Sequence, residues 1–67
     1  MEDRYWLEFK CRKVKMLIDF ADIRAIAEID KKCIIYFYSD FEAEQQVDET
    51  YRQVINKIKK LYASRYK

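Results

Sequence analysis

The sequence predicts an α+β domain: one antiparallel sheet of four to five strands with a single C-terminal amphipathic helix packed on one face. Three observations predict it. Apolar residues alternate with period two through most of residues 5–47, the period changes to three and four after residue 50, and a capping motif stands at the change. A chain of 67 residues has room for one core, so we expect a single domain over 1–67, with strands over about 4–47 and helix over about 50–66.

The first two strands are read from alternation. Tyr5, Leu7, Phe9 and Cys11 share one side, opposite Trp6, Glu8 and Lys10; Val14, Met16, Ile18 and Phe20 share one side, opposite Lys15, Leu17 and Asp19. The link Arg12-Lys13 lacks the Asn-Gly or Asp-Gly pair that two-residue hairpins prefer, so either those two residues bear a positive φ or the loop is longer. Residues 22–30 fit both periods. Their Ala, Arg and Glu content favours helix, whereas their shortness between two strands, followed by Asp30-Lys31-Lys32, favours a strand and a tight turn; we expect a strand. Residues 33–38 are apolar on both sides of the alternation, as a doubly covered strand would be. Residues 41–47 place Phe41, Ala43, Gln45 and Val47 on one side and Glu42, Glu44 and Gln46 on a solvated, acidic one.

Tyr51, Val54, Ile55, Ile58, Leu61 and Tyr62 recur at spacings of three and four, giving one apolar helical stripe. Thr50-Tyr51-Arg52-Gln53 reads as a capping box, with each of the outer two side chains serving the other's backbone N–H.

Composition excludes whole chemistries. With no Gly there is no phosphate-cradling loop and no dinucleotide fingerprint, and with no His the commonest general base and zinc nitrogen ligand are missing. Cys11 and Cys33 stand 22 positions apart, outside any close pair that begins a metal site or redox motif. We therefore expect no enzyme activity, no catalytic residue, no cofactor and no metal. The sparse cysteines, with no secretory leader before them, lead us to expect a reduced, cytoplasmic setting. No apolar run approaches a membrane span, so no membrane insertion is expected.

The net charge of +2 conceals segregation: five acids and no base over residues 40–49, then six bases and no acid over residues 50–67, Lys67 included.

The stretch Ile23-Arg24-Ala25-Ile26-Ala27-Glu28 and the ending Val47-Asp48-Glu49-Thr50-Tyr51-Arg52-Gln53-Val54-Ile55-Asn56-Lys57-Ile58 resemble corresponding stretches of the small flagellar-operon proteins of the FlbD family, over about residues 7–60. That resemblance implies a short β-rich chain ending in one helix, and it brings no catalytic residue. The Asn-Gly turns of that family are not present in this sequence.

Two sets of residues are candidates for function. Trp6, Ile34, Tyr36 and Tyr38 would form a protein interface: Trp6 falls on the charged side of its strand, and the other three share the side of theirs that one helix leaves bare. Lys10, Arg12, Lys13 and Lys15 in the first hairpin, with Arg52, Lys59 and Lys60 on the helix, would contact nucleic acid through phosphate. For the helix bases, a solvated lysine face and a favourable helix dipole are the stronger explanation. The expectation is a non-catalytic protein–protein interaction or regulatory module, of the bacterial or phage accessory or inhibitor kind, acting as a homodimer or on a protein partner. The alternative is a small nucleic-acid-binding regulator.

Overall fold

The computed structural model describes residues 5–65; residues 1–4, Tyr66 and Lys67 lie outside them. Strand β1 (Trp6–Cys11) pairs antiparallel with β2 (Val14–Asp19), a 3-10 turn follows at Phe20–Asp22, and β3 (Ile23–Ile29), β4 (Lys32–Phe37) and β5 (Glu44–Val47) form an antiparallel meander. Helix α1 (Tyr51–Arg65) ends the described chain.

The α+β class and the antiparallel pairing hold, but the five strands form two sheets, β1-β2 and β3-β4-β5, and not the single sheet expected. The reason lies at the edge of β1 that faces β5. One main-chain bond joins the two, from the Asp48 N–H to the Lys10 carbonyl at 2.7 Å, just past the end of β5. Elsewhere along that edge side chains take the place of a neighbouring strand. Both carboxylate oxygens of Glu49 accept the Lys10 N–H at 3.1 Å, and the Lys57 ammonium donates to the Glu8 carbonyl.

Both hairpins close through two-residue turns in the left-handed region. Arg12 and Lys13 have φ of 52° and 67°, Asp30 and Lys31 of 51° and 65°. The first turn therefore resolves as the two-residue link, its positive φ carried by side chains that disfavour it. Residues 22–30 resolve as strand: pairing Ile26 with Ile35 on β4 outweighs helical propensity. The fifth strand begins at Glu44 and not at Phe41, because Asp40 closes a turn there. Its carbonyl accepts the Ala43 N–H and its side chain the Glu42 N–H, both at 3.1 Å.

Phe9, Cys11 and Ile18 from the first hairpin, Cys33, Ile35 and Val47 from the second sheet, and Val54 from α1 form the buried core, with Leu7, Met16, Ile23, Ile26, Phe37 and Ile58 packed around it. The capping box forms as expected: the Thr50 N–H donates to Gln53 Oε1 at 2.9 Å and the Gln53 N–H to Thr50 Oγ1 at 3.1 Å. At the other end of the stripe Tyr62 stands edge-on to Phe20, ring centroids 5.7 Å apart. Among the described residues no helix is long and apolar enough to cross a membrane.

Candidate interaction surface

The face of the second sheet away from α1 is built from alternate residues of its strands. Cys33 and Ile35 point into the core, so Ile34 and Tyr36 point out, beside Ala27 and Ala25 of β3 and Gln46 and Glu44 of β5. Both Ile34 and Tyr36 are half-buried. A register shift between Ile23 and Ala25 re-aims Arg24, whose guanidinium lies 5.6 Å from the Tyr36 ring centre and 4.5 Å from that of Phe41, while its Nε donates to the Phe37 carbonyl at 3.2 Å. Phe41 is 67% exposed and Tyr38 57% exposed. The chain at Tyr38 is fixed from the 3-10 turn before β3, since the Tyr38 N–H donates to the Asp22 carbonyl and Ser39 donates both its N–H and its hydroxyl to the Asp22 carboxylate.

Trp6 does not join this patch. It lies on the outer face of β1-β2, 52% exposed, opposite Asp19 and diagonal to Leu17, which is 62% exposed. The four residues expected to act together thus divide into Ile34, Tyr36 and Tyr38 on one sheet and Trp6 on the other. Arg24, Phe41 and Leu17 belong to these surfaces and were not singled out from sequence. The alternation already placed Leu17 outward; nothing in the sequence signalled the bulge that turns Arg24 or the turn that exposes Phe41.

The basic residues are also divided. Lys10 and Lys60 line one cleft of about 560 Å³ with Lys57, Asn56, Gln53, Asp48 and Glu49. Arg12 lines a second, between the first hairpin and β5, and Arg52 and Lys59 line a shallow third on another side of the helix. Lys15 faces Lys10 directly across the hairpin. All seven are exposed; Lys60 shares the cleft of Lys10, while Arg52 and Lys59 share another.

Between the clefts sits an acidic pair that organises the hairpin. Asp48 accepts the Arg12 N–H with Oδ1 at 3.1 Å and the Lys13 N–H with Oδ2 at 2.8 Å, so its carboxylate caps the strained turn. Glu49 takes the Lys10 N–H and the Lys57 ammonium, the latter at 3.0 Å, and that ammonium also lies 4.9 Å from the centre of the Phe9 ring. Partial burial pushes the Glu49 carboxyl up, but the Lys10 N–H, the Lys57 ammonium and its own backbone N–H together hold it below its usual value.

Both cysteines are free and buried. Burial, then the charges of Asp48 and Glu49, push the Cys11 thiol up against a lowering hydrogen bond from Gln45; burial, then Glu28 and Glu49, do the same to Cys33. Both are poor nucleophiles. Among the described residues no group of three or more His, Cys, Asp or Glu stands close enough to hold a metal ion.

No family model, no curated protein and no solved structure matches this chain.

Proposed function

We propose that this protein is a non-catalytic protein-interaction module whose docking surface is the outer face of the second sheet, carried by Ile34, Tyr36 and Tyr38, with Trp6 on a separate flank. The observation that supports this reading is Arg24 held between Tyr36 and Phe41 on an exposed face. Arginine and tyrosine are the residue types that dominate binding energy at protein interfaces, and stacking fixes the guanidinium before a partner arrives, which lowers the entropy lost on binding. The free, buried thiols fit a reducing, cytoplasmic compartment.

The test is capture from an extract of the source cell with wild type, Ile34→Lys/Tyr36→Ala and Lys59→Glu/Lys60→Glu chains side by side. The reading expects a protein retained by the wild type and by the helix variant and lost by the sheet variant. The same proteins on all three columns would refute it.

A second reading, a nucleic-acid-binding regulator, draws on one observation: Lys10 and Lys60, one from each basic set, meet in a single cleft beside Lys57. It ranks second because Asp48 and Glu49 line the same cleft while Arg52 and Lys59 line another. Fluorescence anisotropy of labelled single- and double-stranded oligonucleotides at low salt decides it. Binding that falls steeply with added salt and is lost in Lys10→Glu/Lys60→Glu supports it, and no binding removes it.

A further inference from the structure

We propose that the open edge of β2 pairs antiparallel with β2 of a second copy, across a two-fold axis at Leu17, to make a four-stranded sheet β1-β2-β2-β1. The surface is distinct from the sheet face assigned above to a protein partner.

The hydrogen-bonding phase of the hairpin comes first. A two-residue turn makes Cys11 and Val14 a hydrogen-bonded pair, and the pairs alternate from there; the Phe20 N–H to Tyr5 carbonyl bond at 2.8 Å, one step beyond β2, keeps that phase. Lys15 and Leu17 therefore fall in the non-hydrogen-bonded class with Lys10 and Glu8. Their N–H and C=O groups point away from β1, toward the side where, among the described residues, no strand pairs with β2. An edge of this kind is a template for another strand.

The residues on this edge select their own copy. Lys15, Leu17 and Asp19 occupy one face of β2, with Leu17 midway between opposite charges. Antiparallel pairing centred on Leu17 sets Lys15 opposite Asp19 of the second copy, Asp19 opposite Lys15 of the second copy, and Leu17 against Leu17. In this register, and not in one shifted by a single residue, Leu17 exchanges both main-chain bonds with its counterpart. Asp19 already accepts the Ala21 N–H through Oδ1, and the pairing asks of its side chain only its charge.

Two features of the single chain are resolved by the same step. Lys10 and Lys15 face each other directly, a like-charge arrangement that destabilises a hairpin, and the second copy brings a carboxylate to Lys15. Leu17, 62% exposed, gains an apolar neighbour. The edge of β3 also has opposite charges, Arg24 and Glu28, placed about Ile26. There the register shift interrupts the strand and Arg24 is engaged by Tyr36, Phe41 and the Phe37 carbonyl.

The experiment is the solution mass of the full chain by sedimentation velocity over a concentration series. Wild type is expected to dimerise. Lys15→Glu sets two carboxylates against each other at both ends of the interface while giving Lys10 an opposite charge within the hairpin. It should weaken the dimer roughly ten- to a hundredfold with the fold retained by circular dichroism. Asp19→Lys should weaken it similarly, and mixing the two variants should restore a dimer containing one chain of each, because both charge pairs are then opposite. A wild type that stays monomeric overturns the proposal. So does a dimer that survives Lys15→Glu and Leu17→Lys but is lost in Ile34→Lys/Tyr36→Ala or in Arg24→Glu, since these would place the contact on the sheet face or on the β3 edge. The capture experiment above reads the sheet face separately, so either proposal can fail alone.

Discussion

Arg12-Lys13 and Asp30-Lys31 turn the chain through almost the same angles, φ 52° and 67° against 51° and 65°, yet the two hairpins hold that conformation by different means. The second is supported locally. Aspartate tolerates the left-handed region better than most residues, and β4 beyond the turn is paired on both sides, to β3 and to β5. The first has arginine and lysine where each left-handed residue costs roughly 1–2 kcal/mol, and β1 has a strand on one side only. Its support comes from the far end of the sequence, through the Asp48 carboxylate on the turn, and Glu49 and Lys57 on the strand edge. The same backbone turn can therefore be a local decision or a tertiary one, and an Arg-Lys turn is tertiary.

The largest effect should come from the side chain that joins the supported hairpin to the core. Phe9→Ala is expected to cost about 3–5 kcal/mol, as emptying a fully buried aromatic site does, and it also removes the ring beneath Lys57. Urea unfolding followed by Trp6 fluorescence and by far-ultraviolet circular dichroism checks this. If the first hairpin depends on the rest, the two probes should report one coincident transition.

Asp48→Ala comes next, at about 2 kcal/mol, because the Arg12 and Lys13 N–H groups lose a charged acceptor. Asp30→Ala is expected to cost only about 1 kcal/mol, the penalty of a Cβ without a tolerant side chain in the left-handed region. Equal losses from the same denaturation measurement would abolish the contrast between the hairpins.

Acid should loosen the first hairpin. The Glu49 carboxyl is lower in the folded chain than its ordinary value near 4.5, so the unfolded chain binds the proton more readily. The stability it contributes is fully present above the ordinary value and is lost as pH falls through the folded one. Melting temperature measured from pH 7 downward should drop in that acidic window, and Glu49→Gln should flatten that part of the profile.

Smallest are the gains from relieving the turns. Lys13→Gly and Lys31→Gly should each add up to about 1 kcal/mol. A gain at Lys13 that persists undiminished in the Asp48→Ala background would show that the carboxylate and the backbone strain are independent.

Much of the fold was legible because it is written in short-range patterns. Alternation gave β1 and β2, spacing gave the stripe of α1, and Thr50 and Gln53 formed their reciprocal cap. Residues 22–30 resolved as strand because Ile26 finds Ile35. What stayed illegible is non-local. The charge count over residues 40–49 showed five acids without partners, but Asp48 and, alongside the Lys57 ammonium, Glu49 are held by backbone N–H groups of residues 10, 12 and 13, which no side-chain count contains. The division into two sheets has the same origin. At the candidate surface, Trp6, Ile34, Tyr36 and Tyr38 were placed outward or half-outward by alternation, whereas Arg24 depends on a bulge and Phe41 on a turn, and neither leaves a periodic trace.

The Asp48 clasp also has a kinetic meaning. Its two bonds join residues 36 and 35 positions apart, and the Glu49 bond to Lys10 spans 39. The β3–β4 hairpin closes over neighbouring residues and can form as soon as they meet, whereas the first hairpin, although synthesised earlier, has its turn secured only after the last strand and the start of the helix arrive. The N-terminal strands are thus made first and finished last. Substitutions at Asp48 should mainly speed unfolding, while those at Ile26 and Ile35 should slow folding.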